Sequence, residues 1–185
     1  MKSTRREWLS ACLAMAAWPE VLSAHQRAHS AASSLTQHFE TLDEGMARDI
    51  EALATQIIPS SDGAGAREAG VIYFIDRALS TFAADTLEQY RSGMAEVQQK
   101  RKELFPASVS IAALSDSQQK TLLVSIETTG FFDLLRTHTV LGFLGNPSYG
   151  GNRGKVGWKQ INFAGQMAYA PPFGYYDAQE SEEKE

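Results

Sequence analysis

The side chains best suited to chemistry lie late in the chain, in the Gly-rich stretch from Tyr149 to Trp158. Arginine offers a planar set of donors, aromatic rings offer large amphipathic surfaces, and glycines let a backbone approach its neighbour closely. The stretch lacks the Gly-Lys-Ser/Thr ending of a phosphate loop and the GxGxxG dinucleotide fingerprint. Its composition is typical of protein contact surfaces. The residues predicted to bind a partner are Tyr149, Gly150, Gly151, Asn152, Arg153 and Trp158.

Two other interpretations of this stretch stay open. The loop could fold back onto the helices of its own domain, with Trp158 filling part of the core. It could also be a catalytic loop. A second contact surface is possible around Asp62, Arg67 and Glu68, although the Asp62-Gly63 pair is most simply a turn.

Candidate ligands and nucleophiles are scarce. His138 is the only histidine beyond residue 38, and one histidine does not make a zinc site. It could be an axial haem ligand, but its position near Phe131 and Phe132 favours a hydrogen-bonded core residue. The Gly-x-Ser-x-Gly elbow of serine hydrolases is absent. We therefore predict no catalytic, cofactor-binding or metal-binding residue in this chain.

The N-terminal stretch contains an arginine pair, Arg5 and Arg6, followed by the apolar run WLSACLAMAAW and then Pro19. Paired arginines before a short apolar segment are typical of a twin-arginine export signal. We predict this signal over residues 1–24, with cleavage after Ala24. An ordinary secretory signal and an uncleaved anchor are the alternatives. The twin-arginine route carries folded proteins, which usually means that a cofactor was inserted before export.

Composition excludes several classes of protein. The 185-residue chain has a formal charge of −5 and is 43% hydrophobic, enough for a real core. It has no basic stripe or nucleic-acid motif, so we expect no nucleic-acid partner. Its single cysteine, Cys12, lies in the predicted signal. A mature chain without cysteine has no intrachain disulfide, cysteine-ligated cluster or covalently attached haem c.

Apolar periodicity predicts a mainly α fold, with a single helical domain of about five helices over residues 39–176. A flexible arm over residues 25–38 precedes it and a disordered acidic tail, 177–185, follows it. Expected helix starts are a Thr41–Glu44 capping box, Arg67, Asp85, and a Ser115–Gln118 capping box. The second helix is expected to reach Phe82, with Phe82 on its apolar face. Gly130 is expected to bend or end the fourth helix. The region from Asn146 to Tyr176 is predicted to be a long loop rich in glycine, proline and aromatic residues.

Three stretches of the chain carry recognisable motifs. They lie within 57–76 (IIP, SDGAGA, EAGV, FID), 118–139 (QQ, LL, FFDLLRTHT) and 142–158 (GF, PSYGGNR, GW). These stretches resemble the blocks that characterise the gluconate 2-dehydrogenase subunit 3 family. They cover most of the mature chain, and the third is the most specific. One departure occurs at residues 162–165, where the family tends towards Gly-Tyr-Pro-Gly.

The resemblance implies a small, cofactor-free subunit of a membrane-associated FAD-dependent sugar or polyol dehydrogenase. The expected partners are a GMC-type flavoprotein subunit that holds FAD, often a multihaem cytochrome c subunit, and the Tat translocase. The small subunit would carry the export signal for itself and for a flavoprotein without one. It would act in the periplasm, associated with the inner membrane through its partners. The alternative is a free-standing periplasmic binding module or an enzyme acting alone.

Overall fold

Six helices account for most of the residues that the computed structural model describes, which are 38–61 and 63–165. Within those residues there is no strand, so the predicted mainly α fold is confirmed. The predicted signal, almost all of the arm, Asp62, residues 166–176 and the acidic tail lie outside them. The helices are α1 (Glu44–Ile57), α2 (Val71–Ser80), α3 (Leu87–Leu104), α4 (Asp116–Val124), α5 (Gly130–Leu144) and α6 (Val156–Gln160).

Helix α2 is the centre of the fold. It packs against both α1 and α5, and it buries seven of its ten residues. A helix that is apolar over most of its circumference requires neighbours on several sides, since each uncovered apolar side chain loses stabilisation. The buried residues are Val71, Ile72, Phe74, Ile75, Asp76, Ala78 and Leu79.

Helix α3 is amphipathic and lies at the edge. Its buried stripe of Tyr90, Met94, Val97 and Arg101 follows the expected helical spacing. Gly93 lies beside this stripe, where α3 passes close to Phe131 of α5. The absence of a side chain at position 93 lets the two helices approach.

The capping box at Ser115 is confirmed, but two other predicted caps are wrong. Asp43 caps α1, because its carboxylate accepts the Met46 N–H at 2.9 Å. The Thr41 N–H donates instead to the buried Asp76 carboxylate, 2.9 Å away. Asp85 lies in a short 3-10 turn before α3, for which Thr86 is the N-cap residue.

Two predicted helix bounds also shift. Helix α2 begins only at Val71, because Gly70 before it has left-handed backbone (φ 65°). It ends at Ser80, so Phe82 lies beyond it rather than on its apolar face. Gly130 begins α5 instead of bending α4, and the Thr129 hydroxyl caps that start by accepting the Phe132 N–H.

Buried polar side chains hold the irregular connection between α3 and α4. Asp49 of α1 accepts the Ala112 N–H at 2.8 Å and also a hydrogen bond from Gln98. Arg101 donates to the Ser108 carbonyl. Burial of these groups is tolerated because each one is hydrogen-bonded.

All six helices fall in one compact unit that begins at Thr41. Within the described ranges, no helix has both the length and the apolar character needed to cross a bilayer.

Replacing Gly93 with alanine tests the close approach of α3 and α5. Helix propensity alone favours alanine by about 1 kcal/mol. However, the new Cβ would overlap the Cβ and the ring of Phe131. Overpacking of this kind costs about 1–3 kcal/mol. We expect the free energy of unfolding, measured by urea denaturation, to fall. Gly130→Ala is the matched control, since its Cβ would meet nothing closer than Gln89 at 4.0 Å. Equal stabilisation by both substitutions would contradict this packing.

Candidate functional site

The candidate site is a strap, residues 146–160, that runs along α2 in the opposite direction. It begins beside the C-terminal end of α2 and ends beside the loop that precedes α2. Much of the predicted long loop therefore has fixed structure, with 3-10 turns at Pro147–Tyr149 and Arg153–Lys155 and then α6. The contacts that define its course are Tyr149 with Phe82, Ser148 with Arg77, Gly150 with Tyr73, Arg153 with Ala69, and Gln160 with Ala64.

Asn152 fixes the strap to the end of α5. Its side chain is fully buried and hydrogen-bonded at both atoms. The amide nitrogen donates to the Gly145 carbonyl at 2.9 Å, and the amide oxygen accepts the Gly157 N–H at 2.9 Å. Its backbone N–H donates to the Gly142 carbonyl at 2.8 Å. Asn152 has left-handed backbone (φ 45°), which asparagine tolerates better than most residues.

Two glycines bring the strap against α5 without a side chain between them. A Cβ at Gly151 would overlap the Gly142 carbonyl, and one at Gly157 would overlap the Phe143 carbonyl. The glycines of this stretch are therefore required for close packing of backbone on backbone.

Arg153 lies on the outer side of α2. Its backbone N–H donates to the Ala69 carbonyl at 3.0 Å, and its guanidinium carbon lies 3.6 Å from the centre of the Tyr73 ring. The side chain also occupies the space that a Cβ at Gly70 would need. Its Nε and Nη2 are buried and have no hydrogen-bond partner among the described residues. The stacking on Tyr73 is the interaction that offsets part of this cost.

Trp158 is half-buried against the end of α5. Its indole N–H donates to the Leu144 carbonyl at 2.6 Å, one of the carbonyls that a helix end leaves free. Its ring meets Phe163 edge to face at 5.1 Å. The residue therefore closes the C-terminal end of α5 and still exposes part of its ring.

Tyr149 is the most exposed of the predicted contact residues. It meets Phe82 edge to face at 6.2 Å, and the exposed fractions of the two side chains are 52% and 60%. We call these two residues the aromatic pair.

The six residues predicted to bind a partner differ in their exposure to solvent. Asn152 and Gly151 are buried, Gly150, Arg153 and Trp158 are half-buried, and Tyr149 is exposed. Sequence reasoning placed Phe82 in the core and did not single out Tyr73 or Arg77. The only signal for Phe82 was its place at the end of the predicted helix.

His138 is a core residue. Its Nδ1 lies 3.0 Å from the Tyr90 hydroxyl, and its ring stacks on that of Tyr90 at 5.6 Å. Burial lowers the pKa of His138 and raises the pKa of Tyr90, so both groups stay neutral near pH 7. The direction of the hydrogen bond between the two neutral groups is set by the tautomer of the imidazole.

The loop before α2 is tied by Glu68. Its carboxylate accepts the Ser60 hydroxyl and the Gly65 N–H, each at 2.7 Å. These hydrogen bonds, that from Ser60 above all, lower the pKa of Glu68. Arg67 lies 3.8 Å from the Glu51 carboxylate. The proposed surface around Asp62 stays a prediction, because Asp62 is outside the described residues.

Three surface clefts of about 250–330 Å³ lie elsewhere on the domain. They are lined by parts of α1, α3 and α5 and by the turn between α4 and α5, and neither His138 nor any strap residue lines them. Among the described residues, no group of three or more His, Cys, Asp or Glu side chains could hold a metal ion.

Comparison with known proteins identifies one family. The family model described as Gluconate 2-dehydrogenase subunit 3 matches residues 46–165. The match extends from the first turn of α1 to the last described residue and includes the whole strap. No curated protein and no solved structure matches the chain.

Replacing Asn152 with alanine tests the attachment of the strap. The substitution leaves the Gly145 carbonyl and the buried Gly157 N–H without partners, at about 1–3 kcal/mol for each. We expect a loss of roughly 2–4 kcal/mol in the free energy of unfolding by urea denaturation. Asn162→Ala is the matched control, since Asn162 has the same left-handed backbone (φ 54°) but is exposed. Similar losses in the two variants would show that backbone strain, not the amide, sets the cost.

The buried His138 predicts a pH-dependent stability. Its pKa in the folded protein is below the ordinary value of 6.5, so the unfolded chain binds the proton more readily. Stability from this group is therefore complete above pH 6.5 and decreases as the pH falls, by up to about 1.4 kcal/mol per pH unit. We expect His138→Gln to flatten the decrease in unfolding free energy between pH 7 and pH 5. His38→Gln, at an exposed position, is the control. An unchanged slope in His138→Gln would refute this role.

Proposed function

This chain belongs to the gluconate 2-dehydrogenase subunit 3 family, and we propose that it is the non-catalytic small subunit of an FAD-dependent sugar or polyol dehydrogenase complex. The family match carries this proposal, because it covers the helical domain almost from end to end. Membership makes the chain an accessory subunit with a dehydrogenase as its partner. The proposal adds that the partner is a flavoprotein of the GMC type and that the chemistry takes place there.

The described side chains support a role in recognition. His138, the one histidine in the helical core, is held by Tyr90, and Asn152 and the strap glycines are used to fix backbone. The exposed side chains of the strap include the aromatic ring of Tyr149 and the positive charges of Lys155 and Lys159. Aromatic side chains are enriched where proteins bind each other, and complementary charge steers the encounter and fixes its register.

The arginine pair supports a second role, in export. Arg5 and Arg6 precede a short apolar run, as in twin-arginine signals, and this route carries folded cargo. We propose that the cargo is the flavoprotein, folded around its FAD and bound to this chain. The small subunit would thereby assist export and maturation of a partner that lacks its own signal.

The complex is placed in the periplasm by this proposal, held at the inner membrane by its other subunits. A multihaem cytochrome c subunit would hold haem c and receive the electrons from FAD. The Tat translocase would be a transient partner of residues 1–24.

Export of the flavoprotein tests the proposal. The flavoprotein subunit would be expressed with this chain, with and without Arg5→Lys and Arg6→Lys together. We expect periplasmic dye-linked dehydrogenase activity to fall to the level found without the small subunit, while cytoplasmic flavoprotein accumulates. Arg27→Lys, beyond the predicted cleavage site, is the control.

Undiminished periplasmic activity in the double variant would mean that this leader does not escort the flavoprotein. Substrate turnover by the purified chain alone would instead favour the alternative of a free-standing enzyme.

A further inference from the structure

The aromatic pair is an unusual feature of a soluble surface. Phe82 and Tyr149 come from segments more than sixty residues apart, yet they touch edge to face, and each is more than half exposed. Folding therefore brings together two large rings without covering them. Clustered aromatic surface of this kind is characteristic of binding hot spots.

Hydrogen bonds hold the backbone next to each residue of the aromatic pair. The Arg77 guanidinium donates to the Ser148 carbonyl at 2.8 Å, and the Asn146 side chain accepts the Ser148 N–H at 3.0 Å, which fixes the residue before Tyr149. On the other side, the Ala83 N–H donates to the Ala78 carbonyl at 2.9 Å, which fixes the residue after Phe82. A preformed aromatic surface loses little conformational entropy on binding.

Positive charge is concentrated around the strap. The whole chain has a formal charge of −5, yet no acidic residue occurs between Asp133 and Asp177. Lys155 and Lys159, which we call the strap lysines, are exposed one helical turn apart. Lys155 has left-handed backbone (φ 57°), an uncommon and strained state for lysine. The exposed part of the strap is therefore basic on an otherwise acidic protein.

We propose that the strap is the docking surface for the dehydrogenase subunit, and that it receives an apolar patch rimmed by acidic residues. The patch would cover the aromatic pair, and the acidic rim would face Arg77 and the strap lysines. This inference rests on the proposed function for the identity of the partner. The exposed rings and the positive charge concentrated on the strap define the site itself.

Other occupants fit less well. The acidic residues 177–185 of the same chain would complement the strap lysines, but they include no apolar side chain larger than alanine. They would leave the aromatic pair uncovered. A second copy of this chain and an anionic lipid surface are further possibilities that the experiment distinguishes.

The experiment measures the dissociation constant between the purified mature chain and the FAD-containing subunit by biolayer interferometry, at low and moderate salt. We expect Phe82→Ala with Tyr149→Ala to weaken binding about 100-fold or more, since two hot-spot residues are removed. Lys155→Glu with Lys159→Glu should weaken binding about tenfold at low salt and reduce its salt dependence.

Matched controls remove the same chemistry elsewhere. Val109→Ala with Val124→Ala trims two exposed apolar side chains, and Lys102→Glu with Lys120→Glu reverses two exposed charges. Both control pairs should bind as the unmodified chain does. Thermal unfolding of every variant checks that the domain remains folded.

The outcomes separate the two proposals. If the unmodified chain binds the FAD-containing subunit and the strap variants bind equally well, the docking surface is wrong and the proposed function stands. If the unmodified chain does not bind that subunit at all, the proposed function fails. The docking surface is also overturned if the strap variants change only self-association or binding to anionic vesicles. It is overturned as well if deletion of residues 166–185 abolishes the effect of the aromatic substitutions.

Discussion

One buried amide holds the strap against the C-terminal end of α5. Asn152 links the carbonyl of Gly145, at the end of α5, to the N–H of Gly157, inside α6. Its own N–H bonds to the Gly142 carbonyl, so three points of the backbone converge on one residue. Because each of these polar groups would be costly if buried without a partner, the three hydrogen bonds stabilise this course of the strap. The exposed positions of Tyr149 and Lys155 follow from that course.

The strap also covers part of the apolar surface of helix α2. A helix apolar over most of its surface needs cover on every side, and α1 and α5 provide only part of it. The strap covers the outer side, with Arg153 stacked on Tyr73 and Gly150 close to the Tyr73 carbonyl. One segment thus both completes the core and carries the surface that we assign to a partner. The two interpretations of the Gly-rich stretch, a loop folded on its own domain and a contact surface, are compatible, because they concern opposite sides of the same segment.

Sequence predicted the helices better than the strap. Periodic apolar residues located α1 and the stripe of α3, and the Ser115–Gln118 capping box was correct because both partners are local. The Thr41 cap was wrong, since the Thr41 N–H bonds to Asp76, 35 residues away, and no local rule anticipates that contact. Phe82 was placed in the core because its spacing matched α2. The helix ends two residues earlier, and the ring lies between the buried Phe74 and the exposed Tyr149, which only the tertiary fold brings near. The buried roles of Asn152 and Gly157 depend on contacts of the same long-range kind.

We propose that this small helical subunit uses its side chains for packing and recognition and that the redox chemistry takes place in its partner. A cryo-electron microscopy structure of the complex isolated with the FAD-containing subunit tests this claim most directly. We predict that Phe82 and Tyr149 are buried under that subunit, opposite an apolar patch with acidic residues around it. A complex in which the strap faces solvent, and another side of the helical domain contacts the dehydrogenase, would contradict it.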